Sequence, residues 1–407
     1  MDILHIDMNN FYASVECLLN PDLRPFPVAV CGSQEERHGI VLAKNYAAKA
    51  KGVSTGEAIW QAKQKCPNLV IVPPHYDQYV KFSKLAREIY GRYTDLIEPF
   101  GMDEVWADVT GTKGTPLEIA NEIKETVKYE LGLTVSIGVS FNKIFAKLGS
   151  DMKKPDAITV IERETFRQQI WHLPASDLLG VGRATAKNLA SIGIYTIGQV
   201  AQLPCEFFQH RLGKCGEDIW RFANGMDTSP VRVRDYEAPD KTVGHGMTAV
   251  QDLENEADVW KFMLELSQDI GQRLYAFNKQ ATGIAIAVRD NELCTKQWQC
   301  RLSLPTQSAS SIAREAFSLF ARSYDWRRPI RSITVRAINL TSLDAPYQLD
   351  VFTDPAKIVR AEALDRTIEE LRYRFGRKII RHACLLDNPK MSVNENPKII
   401  MPTGIPL

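Results

Sequence analysis

The spacing of apolar and polar positions changes repeatedly along the first 165 residues. Residues 2–8 read as a short strand that ends at Asp7, and residues 11–19 as a helix stopped by Asn20-Pro21. Val28-Ala29-Val30 and Gly39-Ile40-Val41-Leu42 read as further short strands; Pro67, Pro73 and Pro74 then break the chain, and a helix is expected from near Asp77. Val105, Ala107 and Val109 alternate with Trp106 and Asp108, the two-residue period of a strand. Thr115-Pro116-Leu117-Glu118 is a capping box with proline at the first helical position. Ile119, Ile123, Val127 and Leu131 continue it as one apolar stripe, and Gly132 ends it. Val135, Ile137 and Val139 alternate again. Interleaved strands and helices predict an α/β or α+β region.

Residues 166–230 read as mostly helical with two glycine-containing turns, and the polar stretch 232–240 as a linker. Residues 241–343 mix strand-like runs (282–289, 333–340) with amphipathic helices (257–277, 310–324). Asp354-Pro355 opens a helix whose predicted apolar seam is Ala361, Leu364, Ile368, Leu371 and Phe375, ended by Gly376. The four prolines of residues 387–407 predict a loosely ordered end.

Composition narrows the class. The 407 residues allow roughly two to four domains. A content of 44% apolar and 24% charged residues excludes a disordered chain or a small disulfide scaffold. Eight cysteines include no Cys-x-x-Cys pair, so reduced thiols in a cytoplasmic protein are expected, with no signal peptide or membrane span. Net charge is +1, but its distribution is uneven. Residues 1–165 carry 19 basic and 22 acidic side chains, whereas 289–336 carry 9 and 4. Arg314, Arg322, Arg327, Arg328, Arg331 and Arg336 form a basic stripe in the linear sequence.

The candidate chemistry sits in the acidic half. Asp7 is followed by Phe11-Tyr12 and Glu16, and Gly101-Met102 precedes Asp103-Glu104. Converging carboxylates suit hard divalent cations, and two such ions can activate a hydroxyl and steady a leaving phosphate. Adjacent Asp103 and Glu104 would point to opposite faces of a regular strand, so both reach one site only at a turn or strand end, which Gly101 permits. Asn45-Tyr46-Ala47-Ala48-Lys49 and Asp151-Met152-Lys153-Lys154-Pro155 add groups suited to polyphosphate.

Together with His5–Glu16, Asp108-Val109-Thr110 and Ser136–Lys143, these segments recur in the order and spacing of one family. Over about residues 1–340 the chain resembles the Y-family, or translesion, DNA polymerases, closest to their bacterial polymerase IV branch. The resemblance implies an α+β multidomain fold shaped as a right hand. The palm, with a mixed sheet, would take residues 1–10 and 77–165; small fingers 11–76; a helical thumb 166–231; a linker 232–240; and an α/β little finger 241–343. A tail, 344–407, would follow. It also implies template-directed, low-fidelity DNA synthesis from dNTPs, with no room for a proofreading domain. Asp7, Asp103 and Glu104, helped by the Met8 carbonyl, would bind two Mg²⁺, for which Mn²⁺ can substitute. Tyr46, Lys49 and Lys154 would hold the triphosphate. Tyr12 would be the steric gate against a ribose 2′-hydroxyl, with Phe11 lining the same pocket. Asn9, Lys49 and Gly101 depart from the common pattern, where an acidic residue, an arginine and a serine are usual.

Leu179-Gly180-Val181-Gly182 before a helical run resembles a helix-hairpin-helix turn, with Gly180 and Gly182 letting backbone amides approach a DNA phosphate. Arg327, Arg328, Arg331 and Arg336 are expected on primer–template DNA, mainly at phosphates. Gln348, Leu349, Val351 and Phe352, within 348–352, resemble the peptide that binds the bacterial sliding clamp. A monomeric, nucleoid-associated cytoplasmic enzyme is expected. Two alternatives stay open at this point: a nucleotide cyclase, which also uses a two-metal carboxylate site, and a DNA-bound scaffold without catalysis.

Overall fold

The structure, a computed structural model, describes residues 1–346, 348, 355–376, 379–386, 390 and 391, except 36, 38, 235, 237 and 238. Leu349, Val351 and Phe352 of the clamp-like peptide lie outside the described residues. The chain divides into two compact units, one built mainly from residues 1–238 and one mainly from 239–396.

The first unit is organised by a five-stranded sheet in the order Ile97–Pro99, Glu104–Asp108, Ile3–Met8, Val135–Ser140, Ile158–Ile161. The N-terminal strand is central and runs antiparallel to both neighbours; only the last pair is parallel. Leu4, Ile6, Met8, Val105, Ala107, Val135, Ile137 and Val139 point to one face, and the core there is completed by the helices Tyr76–Tyr90 and Pro116–Leu131. The second helix starts as predicted, with Thr115 Oγ1 accepting from Glu118 N and Glu118 Oε2 accepting from Thr115 N.

The other face receives the helix Lys143–Met152, opened by Asn142, whose side-chain oxygen accepts from Phe145 N. This helix approaches so closely that a Cβ on Gly138 would lie 1.9 Å from Ala146 O, so only glycine fits there. A smaller three-stranded sheet, Val41–Lys44, Val28–Cys31, Val70–Val72, packs on Ala48, Ile59 and Ala62. Residues 166–223 form short helices around Phe166, Leu189, Val200, Phe208 and Ile219.

The second unit holds an antiparallel sheet in the order Thr295–Thr306, Lys279–Asp290, Ile330–Ser342, Thr242–Leu253. The helices Glu256–Ala276 and Ala309–Ser323 cover one face, burying Ile284, Ile286, Val288, Ile333 and Val335 with Phe262, Leu266 and Phe320. The tail helix Pro355–Phe375 departs from its expected seam. Leu364 and Phe375 are exposed and Ile368 and Leu371 half-buried, and the buried residue among those described is Arg372, whose guanidinium donates to Gln268 Oε1 and to Ile380 O at 3.0 Å. A guanidinium with several acceptors is satisfied inside, so Arg372 adds polar contacts that hold the helix.

All eight cysteines are free. Among the described residues, no helix is long and apolar enough to cross a membrane.

Candidate active site

Sheet register brings the carboxylates together. Asp7 on the central strand faces Glu104 on its antiparallel neighbour, and directly opposed residues project to the same face. Asp103 lies in the bend before that strand, its carbonyl accepting from Met8 N at 2.9 Å. Gly101, at φ +100°, makes the turn, so the adjacent acidic pair escapes the alternation of a regular strand.

Two lysines neutralise this cluster. Lys154 Nζ lies 2.7 Å from Asp7 Oδ2 and 2.9 Å from Asp151 Oδ1. Lys147 Nζ lies 2.8 Å from Glu104 Oε2, 3.1 Å from Asp151 and 3.5 Å from Asp7. Behind Glu104, the fully buried His5 places Nε2 3.3 Å from Oε2 and Nδ1 2.8 Å from Ser150 Oγ, with its ring edge-on to Trp106. Burial lowers the His5 pKa to about 4, so the ring is neutral at pH 7.

Electrostatics separate the three acids. Burial, then repulsion from Asp7 and Glu104, raises Asp103 to about 7. Asp7 is also raised, by burial and by Glu104, against the pull of Lys154 and Lys147. For Glu104, burial is outweighed by His5 and Lys147, and its pKa falls. Among the described residues, no three metal-ligating side chains stand close enough to hold an ion as placed; the lysines take up the carboxylate oxygens instead. The donor set nevertheless fits a divalent ion. It is all oxygen, and burial with repulsion from Asp7 and Glu104 disfavours the Asp103 charge, a penalty that a cation among the three acids would relieve.

The predicted nucleotide residues lie nearby in the same unit. Asn45 caps the helix Tyr46–Ala50 by accepting from Ala48 N, and Lys49 sits over the Tyr46 ring at 5.6 Å. The Tyr46 hydroxyl is shifted upward by burial, and it also senses Lys154 and Asp7. Phe11 is buried in the core. Tyr12 is half-buried, stacked on Tyr79 with ring centres 4.2 Å apart, and its hydroxyl lies 3.8 Å from Met102 Sδ.

Asn9, the departure beside Asp7, has a structural task. It is buried; its Nδ2 donates to Ser136 Oγ at 2.9 Å and its Oδ1 accepts from Asp156 N at 2.9 Å. It thus ties the central strand to the chain just after Lys154. His5, Lys147 and Tyr79 were not singled out from the sequence. The only local signal for Lys147 is its i,i+4 spacing to Asp151.

Gly180 adopts φ +90° and Gly182 is the residue before the helix Arg183–Ala190. In the second unit the linear basic stripe is divided. Arg314 and Arg322 lie on the helix Ala309–Ser323, whereas Arg331 and Arg336 lie on the strand Ile330–Ser342. Arg327 pairs with Asp325 at 2.8 Å, and Arg328 with Glu292 at 2.8 Å and Asp290 at 3.4 Å. Arg336 is opposed by Ala285 and Gly244, and Ala285 in turn by Gln299. Register puts Arg336 on the helix-free face with exposed Arg289 and Arg301, two positions sequence reading had not named.

The model of the impB/mucB/samB family matches residues 6–151, that of its C-terminal domain residues 240–351, and that of the DNA polymerase-iota thumb domain residues 176–227. DNA polymerase IV of Acetivibrio thermocellus is 49% identical over 389 residues, covering 95% of this chain and 98% of the relative. DNA polymerase IV 1 of Bacillus subtilis is 36% identical over 390 residues, covering 94% and 93%. The Y-family DNA polymerase chimera Dbh-Dpo4(243-245)-Dbh superposes with a TM-score of 0.73 at 24% identity, covering 84% of this chain and 100% of that one. Extending over nearly the whole length of such relatives, the chain belongs to the Y-family of DNA polymerases, in its DNA polymerase IV branch.

Proposed function

We propose that this chain is a template-directed DNA polymerase of the translesion class, adding dNTPs to a primer 3′ end with low fidelity and without proofreading. The observation that carries the reading is the Asp7–Glu104 register with Asp103 at the strand end. Asp7, Asp103, Glu104 and the Met8 carbonyl would hold two Mg²⁺, or Mn²⁺. When bound, such ions ease deprotonation of the primer hydroxyl and neutralise charge on the departing pyrophosphate. Lys154 exchanges Asp7 for phosphate oxygens, and Tyr46 and Lys49 hold the rest of the triphosphate. Tyr12 lies beneath the sugar and excludes a 2′-hydroxyl, with the Phe11 backbone beside it.

We assign the palm to 1–10 and 77–165, the fingers to 11–76, the thumb to 166–231, and the little finger to 241–343 beyond a linker at 232–240. The thumb offers the backbone amides around Gly180 and Gly182 to phosphate. The little finger offers the helix-free sheet face bearing Arg336, Arg289 and Arg301; Arg331 lies on the same strand. Arg327 and Arg328, held by acids, contribute less. The peptide 348–352 recruits the bacterial sliding clamp, and the enzyme works as a monomer in the cytoplasm, at the nucleoid.

Primer extension on an undamaged template, with the double variant Asp103→Ala/Glu104→Ala alongside, tests the reading. Extension that needs both template and metal, and is lost in the variant, is expected. Nucleotide consumption without a template would indicate a cyclase, and DNA binding without extension a scaffold.

A further inference from the structure

Tyr12 does not stand alone. Its ring lies nearly parallel to that of Tyr79, at 9° and 4.2 Å, and Tyr76 meets both rings edge-on at 6.0 and 5.7 Å. Tyr79 is fully buried, and its hydroxyl donates to Glu16 Oε1. Glu16 is itself buried, and His75 Nδ1 lies 3.0 Å from each of its oxygens.

The sequence explains the convergence. Tyr12 and Glu16 are four residues apart on the helix Phe11–Leu19, so they share a face. Tyr76 and Tyr79 are three apart on the helix Tyr76–Tyr90 and share another. The two faces meet, and the stack is pinned at its far end by a carboxylate.

We propose that Glu16, acting through the Tyr79 hydroxyl, fixes the height of the Tyr12 ring and is thereby a specificity-determining positioning residue for sugar discrimination. The inference rests on the steric-gate reading of Tyr12. A stacked ring alone can slide, because aromatic pairs tolerate a range of offsets at little cost. A hydroxyl bonded to a buried carboxylate is directional and charge-assisted, and removes that freedom. Burial and Glu16 both push the Tyr79 pKa upward, so the hydroxyl keeps its proton and remains the donor. A ribose 2′-oxygen then meets a ring backed by a second ring that cannot retreat.

The test is single-nucleotide insertion of a dNTP and of the matching rNTP, read as the ratio of their kcat/KM values. Tyr79→Phe keeps the ring and removes only the anchor. It is expected to lower the dNTP/rNTP ratio about ten-fold, the loss of ~1.4 kcal/mol of discrimination. Glu16→Leu should do the same, whereas Glu16→Gln, which keeps an acceptor, should restore most of the ratio. Tyr12→Ala is the control for the underlying reading. If Tyr12→Ala abolishes discrimination and Tyr79→Phe leaves it intact, the positioning role is wrong while the gate stands. An equal fall of dNTP and rNTP insertion in Tyr79→Phe, with the ratio preserved, would reveal a merely structural residue and also overturn the proposal. Discrimination that survives Tyr12→Ala removes both.

Discussion

Lys154 Nζ is 2.7 Å from Asp7 Oδ2, so the lysine assigned to the triphosphate is paired with the carboxylate assigned to metal. The two roles are compatible only if phosphate and metal arrive together and separate the pair. Hydrogen bonds to charged groups are worth about 1.5–3 kcal/mol. Lys154→Ala is therefore expected to raise the dNTP KM by roughly 10- to 100-fold. Steady-state insertion kinetics check this, and an unchanged KM would remove Lys154 from the nucleotide site.

Asp103, raised to about 7, makes the metal-free protein less stable as pH rises. Its folded pKa lies above the unfolded value of about 3.9, so the folded state binds more protons between the two. Stability then falls from about pH 4 to pH 7 and stays low above. In EDTA, Asp103→Asn should melt a few degrees higher than the parent at pH 8 and show no such gain at pH 4. Added Mg²⁺ should raise the melting temperature of the parent more than that of the variant.

His5 backs Glu104 from a position sealed from water. Outer-shell partners of metal ligands typically cost about 10–100-fold in metal affinity when removed. His5→Leu should weaken Mn²⁺ binding by about ten-fold, measured by calorimetry without DNA, and His5→Gln less. Equal loss in both would mean that packing against Trp106 matters more than the polar contact.

Gly138→Ala forces a methyl into a space bounded by Ala146 O and Ser150 N, at 1.9 and 2.6 Å. Overpacking of this kind costs about 1–3 kcal/mol or more. The displaced helix carries Lys147, so chemical denaturation should show the loss and primer extension should fall with it.

Arg336→Ala should weaken duplex binding similarly across sequences and reduce the slope of log affinity against log salt by about one unit. Arg314→Ala, on a helix covering the opposite face, should leave that slope unchanged. Fluorescence anisotropy over a salt series distinguishes them.

Much of the acidic site was legible because its groups are carried by short, dense segments. Asp7 ends an alternating strand, and Gly101 announces the turn that lets Asp103 and Glu104 face one place. Lys147 and His5 were hidden because their meaning is tertiary: a helix over Gly138 brings Lys147 to Glu104, and no local pattern encodes that approach. The arginine stripe shows the converse. Neighbours in sequence at 314–336 straddle a helix and a strand, whose side chains leave on opposite faces. In the tail, two residues of the apolar seam, Leu364 and Phe375, are exposed, while Arg372 with its several acceptors is buried.

The central strand of the catalytic sheet leaves the ribosome before either of the strands it pairs with. Both of its hydrogen-bonded neighbours, Glu104–Asp108 and Val135–Ser140, are made much later, and the helix that carries Lys147 later still. Such distant pairings are slow to form, and until then the apolar strand has nowhere to go. During synthesis Asp7 waits without its partners, and a nascent chain interrupted before Asp103 cannot bring the three acids together. The sheet and the helix that brings Lys147 to the acids are complete only once residue 152 is made, and until Val135–Ser140 follows, the Ile3–Met8 strand keeps an open hydrogen-bonding edge.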